Sequence, residues 1–227
     1  MRIPRFVLAL LLIGTPVATV AVTATGASAD PFKYSQVSIG SSGACVLTTD
    51  NQVLCWGDNY DRTLIGTSTE RSIRVPTPVR LPNNEQWASI DFGPWTTHCG
   101  LAVSGRAFCW GDHSTGSYFN PGSRTPVQVE FPNDFRVKVV QAGNYTACAI
   151  DLSDDLWCWG TPTYIGNGDI ESVRIPVRVP MPDNSKITSL SMRSNICVTT
   201  DSQKAYCWGE NGNGELGLCL LYTSDAA

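Results

Sequence analysis

The cysteines are the residues of this 227-residue chain with the most chemistry in them. Eight of the nine fall in pairs ten residues apart: Cys45 and Cys55, Cys99 and Cys109, Cys148 and Cys158, Cys197 and Cys207. Thiols at that spacing could join as local disulfides or ligate a soft metal. Zinc sites usually bring ligands two to four residues apart, and the chain has no Cys-x-x-Cys. A tight antiparallel hairpin sets such residues directly across from one another. With Asp50 in the turn, Leu47 faces Val53 and Cys45 faces Cys55. Facing residues there lie about 4.5–5.5 Å apart at Cα, which a disulfide can span. The reading is four local bridges, each worth roughly 2.7 kcal/mol through loop entropy.

Outside the cysteines, reactive pairs are scarce. There are two histidines. His98 directly precedes a bridging cysteine and reads as a satisfied structural residue, and His113 reads as an ordinary solvated loop residue. No Gly-x-Ser-x-Gly, phosphate loop or His-Glu-x-x-His sequence is present. Asp58-Asn59-Tyr60-Asp61 and Asn167-Gly168-Asp169-Ile170-Glu171 have oxygen donors but not the spacing of a calcium loop. Such residues are also ordinary turn formers. Asn144-Tyr145-Thr146 is a glycosylation sequon in hosts that modify such sites. No catalytic residue, metal ligand or cofactor is assigned.

What positions these residues is a repeat. The second cysteine of each pair opens a Cys-Trp-Gly triplet, and successive triplets lie 54, 49 and 49 residues apart. A period near 50 residues signals a propeller or solenoid. Each unit reads as four short strands, β-branched and alternating, bounded by turn residues. In the second unit these are Pro78-Val79-Arg80-Leu81, Trp87-Ala88-Ser89-Ile90, a run from Cys99 and a run ending at Trp110. Pro126-Val127 and Pro176-Val177 open the third and fourth units in the same way, and the first unit starts near Val37 without such a strand. The chain is therefore read as all-β, with repeats at about 30–66, 67–120, 121–169 and 170–218. Trp56, Trp110, Trp159 and Trp208 are read as packing between repeats, while the following Gly turns the backbone.

The two ends read differently. Residues 1–29 have a basic start, an apolar run from Phe6 to Gly14 and a small-residue stretch ending Ala27-Ser28-Ala29. That is the pattern of a secretory signal peptide cleaved before Asp30. The apolar run is too short for a stable membrane span. Residues 219–227 break the repeat and resemble a translated sequencing adapter, which would make Cys219 non-native and let the natural protein continue beyond Leu218. Arg2 and Arg5 leave with the leader and Asp225 with the tail, so the formal charge moves from −4 to −5. An acidic domain has no footprint for nucleic acid.

The order of features is Gly, Cys-x-Leu, a turn, Cys-Trp-Gly-Asp-Asn, a Gly-Leu-Gly turn, then Pro-Val. It resembles the regulator of chromosome condensation repeat. The best copy of its end runs from Cys207 to Gly217, and the first copy keeps Cys55-Trp56-Gly57-Asp58-Asn59 followed by Leu64-Ile65-Gly66. The resemblance covers residues 34–218 and implies a β-propeller of four-stranded blades, four of them here as an open arc of a seven-bladed ring. There are departures. His113 to Gly116 and Thr161-Pro162-Thr163 replace the expected turns, and Met192 stands where a Gly is usual. The family's founding member is a nucleotide exchange factor for a nuclear GTPase, a role at odds with a leader and an acidic surface. The exported members that the chain resembles are protein-binding propellers.

The expected function is an exported, secreted or cell-envelope binding module, non-catalytic, gripping a protein or a surface glycan through loops and an end face. Tyr60, Arg62, Arg71, Trp95, Tyr118, Phe119, Tyr145 and Tyr164 are the candidate contacts, because exposed Tyr, Trp and Arg are favoured contact types. The alternative is a lyase or hydrolase at a central channel, which needs paired carboxylates about 5–9 Å apart.

Overall fold

The computed structural model describes residues 33–41, 43–59, 64–94, 97–111, 123–161, 165–166 and 173–217, which fall in one compact unit. They form four antiparallel sheets. The first holds β1 (Tyr34–Ile39), β2 (Gly43–Thr48), β3 (Val53–Asp58) and β4 (Ser72–Val79). The second holds β5 (Trp87–Phe92), β6 (Thr97–Ala102), β7 (Ala107–Gly111) and β8 (Val127–Gln128). The third holds β9 (Val137–Ala142), β10 (Thr146–Asp151), β11 (Leu156–Gly160) and β12 (Val173–Val179). The fourth, among the described residues, holds β13 (Ile187–Met192), β14 (Asn195–Thr200) and β15 (Ala205–Gly209). These sheets are the blades.

The central hairpins have the expected register. Leu47 faces Val53, and the cysteines of every pair face each other. The structure joins all four pairs as disulfides, with Cα atoms 4.1–4.2 Å apart, closer than the hairpin argument set.

One grouping differs from the sequence reading. The Pro-Val strand does not open a blade. β4, β8 and β12 pair with β3, β7 and β11, so each closes the sheet begun before it. The repeat boundaries near 66, 120 and 169 thus fall inside sheets rather than between them. Alternating, Pro-started runs fit either edge of a sheet, and pairing partners are a long-range property that periodicity does not carry.

β6 and β10 are buried at every residue, because their two faces enter two different cores. Cys99 and Leu101 pack with Val137 and Val140 of the third blade, whereas Phe92, Ala102 and Trp110 pack with Cys45, Leu47 and Val53 of the first. Each blade therefore has a leading face toward its predecessor and a trailing face toward its successor.

The joints repeat the same contacts. A turn residue with positive φ, Asn51 (64°), Gly105 (78°) or Asp154 (65°), offers its carbonyl to the next blade's first inner residue. Trp87, Val137 and Ile187 donate to those carbonyls at 3.1, 3.1 and 2.9 Å. Near the axis the Gln36 amide bonds both backbone groups of Ile90, Ser38 Oγ accepts from Phe92 N, and Asp91 accepts from Ala142 N. Gly40, Gly93 and Gly143 follow the inner strands where the next blade presses closest. A Cβ there would sit 2.1 Å from the Phe92 ring, 3.0 Å from the Ala142 Cβ and 2.8 Å from the Met192 methyl, respectively. In the fourth blade that turn position is Arg193, not Met192. Arg193 N bonds Asn195 O as Gly143 N bonds Thr146 O, and Met192 is a buried core residue.

Candidate partner-binding face

Antiparallel strands put the loops after a blade's first and third strands on one edge of the unit, the loop face. The cysteine-hairpin turns and the short Pro-Asn segments (Pro82–Asn84, Pro132–Asp134) lie on the other, the turn face. Tyr60, Arg62, Trp95, Tyr118, Phe119 and Tyr164 lie outside the described residues. Arg71 and Tyr145 are described, on loops of the loop face.

Asn59 builds the first of these loops. It is fully buried. Its Oδ1 accepts from Leu64 N (3.1 Å) and Ile65 N (3.0 Å), its Nδ2 donates to Glu70 O (2.8 Å), and its own N–H donates to Arg71 O (2.8 Å). The amide ties the loop's two ends together and seats Arg71, which is exposed, at its exit. A metal-ligand role for Asn59 is thereby displaced, since its oxygen is committed to backbone amides. Asn211 has the same role in the fourth blade, accepting from Leu216 N at 3.1 Å. Gly111-Asp112-His113 and Gly160-Thr161-Pro162 have no Asn at that position.

Tyr145 is half-buried with φ of 59°, a conformation rare outside Gly and Asn. Its carbonyl is held by Thr161 N (3.0 Å) and Thr161 Oγ1 (3.2 Å), and the adjoining Asn144 N donates to Arg193 O (2.8 Å). A Cβ on Gly160 would meet the Tyr145 carbonyl at 2.3 Å, so the glycine lets the two segments close. In the sequon, Asn144 Oδ1 and Thr146 Oγ1 are buried without partners.

Trp110, Trp159 and Trp208 pack into the joint with the preceding blade, the first two buried and Trp208 partly buried, while Trp56, partly buried, packs against the core between the first two blades. The Trp208 indole nitrogen lies 2.4 Å from where a Cβ on Gly166 would be, so a glycine with φ of 78° ends the preceding loop. His98 is on the leading face of β6, stacked on Phe92 (4.1 Å between centroids) and tilted against Trp110 (5.5 Å). Burial pushes its imidazole down to about 3. It is structural, but not satisfied: its Nδ1 and the Trp110 Nε1 have no hydrogen-bond partner.

Along the axis, Ser38, Asp91 and Ser191 occupy equivalent inner-strand positions. Asp91 is the one carboxylate on β1, β5, β9 and β13. Burial raises its pKa against the opposing effects of the Ala142 amide and the Arg193 charge. The four described inner strands do not assemble a carboxylate pair.

The turn face is cross-braced by ion pairs. Arg106 meets Glu85 (2.8 Å), Lys138 meets Asp154, Lys186 and Arg178 converge on Asp155 (2.8 and 3.0 Å), and Lys204 meets Asp183 (2.9 Å). Between the first two blades, where Gln52 and Gln86 stand in the places of Asp155 and Lys186, a cleft of about 310 Å³ opens.

Residues 34–62 match the regulator of chromosome condensation (RCC1) repeat. The chain is similar to RCC1 repeat proteins over most of its length. It is 28% identical over 189 residues to human E3 ubiquitin-protein ligase HERC2, covering 80% of this chain and 4% of that protein. It is 27% identical over 197 residues to the Arabidopsis thaliana ultraviolet-B receptor UVR8, covering 82% and 43%. Among solved structures, yeast RCC1 (Prp20) with Kap60 bound superposes with a TM-score of 0.64 at 19% identity, covering 80% of this chain and 43% of that one. Human WBSCR16 superposes equally well, with 0.64 at 19% identity over 74% and 44%. The chain thus spans less than half the length of the relatives it matches. These structures share the fold seen here, an RCC1-like β-propeller. No helix among the described residues is long and apolar enough to cross a membrane.

Proposed function

We propose that this RCC1-type propeller is exported and binds a protein partner through its loop face. The carrying observation is the contrast between the two faces. On the turn face, lysines, arginines and carboxylates neutralise each other within the molecule. On the loop face, Tyr145 is held in a left-handed conformation by the Thr161 clasp, and Arg71 is seated by the Asn59 clamp. Rigid scaffolds presenting aromatic and Arg side chains on fixed loops are suited to forming hot spots. Four disulfides suit an oxidising compartment and agree with the leader read at residues 1–29.

The test is an alanine panel over Arg71, Tyr145, Tyr60, Arg62, Trp95, Tyr118, Phe119 and Tyr164, with Arg80 and Leu152 on the turn face as controls. At least two of these eight variants should lose partner binding tenfold or more, about 1.4 kcal/mol each. Loss confined to the turn-face controls, or none at all, overturns the assignment. Export is checked separately by N-terminal sequencing of protein recovered outside the cytoplasm, with Asp30 expected first.

A further inference from the structure

On the turn face the three joints between blades are filled differently. Register fixes the equivalent places. Gln52, Arg106 and Asp155 immediately precede the third strands, and Pro78, Gln128 and Arg178 sit on the outer strands. Gln86, Arg136 and Lys186 immediately precede the next blade's inner strand. Between the third and fourth blades, Lys186 and Arg178 close on Asp155 at 2.8 and 3.0 Å. Between the second and third, Arg136 lies along the hairpin turn, its Cβ, Cδ and Cγ 3.2, 3.4 and 3.5 Å from where a Cβ on Gly105 would be. Between the first and second, the three places hold Gln52, Pro78 and Gln86, and the joint stays open as the cleft of about 310 Å³. Small-molecule sites begin at roughly 300 Å³.

The cleft has a fixed shape. Its floor is Val53, Val79, Leu81 and Trp87, all buried. Trp87 ties the floor together, donating from its backbone to Asn51 O (3.1 Å) and from Nε1 to Val79 O (2.8 Å). On the rim, the side chains of Asn51, Asn84, Gln86 and Arg80 make no hydrogen bond or ion pair among the described residues. Asp50, bonded by the Gln52 amide at 2.8 Å, adds one carboxylate, while Glu85 is already met by Arg106 at 2.8 Å. We infer that this cleft binds a neutral saccharide unit. Carboxamides both donate and accept, as sugar hydroxyls do, and the apolar floor suits the C–H face of the ring. One open guanidinium beside one carboxylate leaves the rim without net charge, which disfavours phosphate and other anions. The site lies on the face opposite the protein-binding loops and does not rest on that reading.

Protein-observed NMR of the full chain, read at the Trp87 indole N–H, tests this with glucose, galactose, mannose, their methyl glycosides and inorganic phosphate as probes. At least one sugar should shift that signal saturably. A methyl glycoside that binds as well as the free sugar assigns the site to a glycan terminus, and binding of the free sugar alone assigns it to a soluble sugar. Gln52→Asp with Gln86→Lys rebuilds the Asp155–Lys186 pair in this joint, so it should weaken binding about tenfold or more without lowering the unfolding midpoint. Gln86→Ala, which removes only an exposed amide, should weaken it as well, and Tyr145→Ala should leave it unchanged. No saturable shift with any sugar, a shift with phosphate alone, or sugar binding that survives both the rebuilt pair and Gln86→Ala overturns the proposal.

Discussion

At the scale of the residue, cysteine and tryptophan were legible because their roles are fixed by spacing: ten residues across a hairpin, and a ring beside a turning glycine. Asn59 and His98 were not, because their roles depend on what the fold brings to them. Asn59 reads as one turn former among several until its amide is seen closing the 59–71 loop. Asn59→Ala should cost about 3 kcal/mol in denaturant unfolding, since buried backbone groups lose partners. A change under about 0.5 kcal/mol would remove the clamp from the account. His98 sets a pH dependence. Its folded value of about 3 lies below the ordinary 6.5, so the unfolded chain takes up a proton first as pH falls. Stability from this group is complete above pH 6.5 and lost as pH falls toward 3, by up to ~4 kcal/mol. Asp91, raised in the folded state, acts with the opposite sign below its folded value. His98→Leu should therefore flatten the unfolding free energy between pH 6.5 and 4 relative to the parent chain, and parallel profiles would contradict the buried neutral imidazole.

At the scale of the element, strand count and hairpin register could be read from alternation and turn residues, since both are local. The Pro-Val strand was assigned to the wrong sheet because its hydrogen-bond partner lies in the preceding repeat. The inner-strand glycines were recognised as a pattern, but their reason is tertiary: the next blade's side chains occupy the space a Cβ would need. Burial then separates four bridges that look identical in sequence. Cys45, Cys55, Cys99, Cys109, Cys148 and Cys158 are at most 6% exposed, whereas Cys207 is open to solvent. Limited reduction followed by alkylation and peptide mass mapping should label Cys197 and Cys207 before any other pair. Uniform labelling of all four pairs would mean that the first three joints open as readily as the fourth blade's exposed face.

At the scale of the whole molecule, the repeat period announced the propeller but not its partner. Folds of this kind host many functions, and specificity rests on loops that vary while strands persist. The structure adds a division of labour between two edges. One is braced by ion pairs, and the other carries clamped loops and a strained tyrosine. A single measurement tests that division most directly: a photo-crosslinking amino acid placed at Tyr145 on the loop face or at Leu152 on the turn face of the chain. The account predicts a discrete covalent adduct to one extracytoplasmic protein from position 145 and none from position 152. Adducts from position 152 alone, or from neither position, would contradict a loop-face binding propeller.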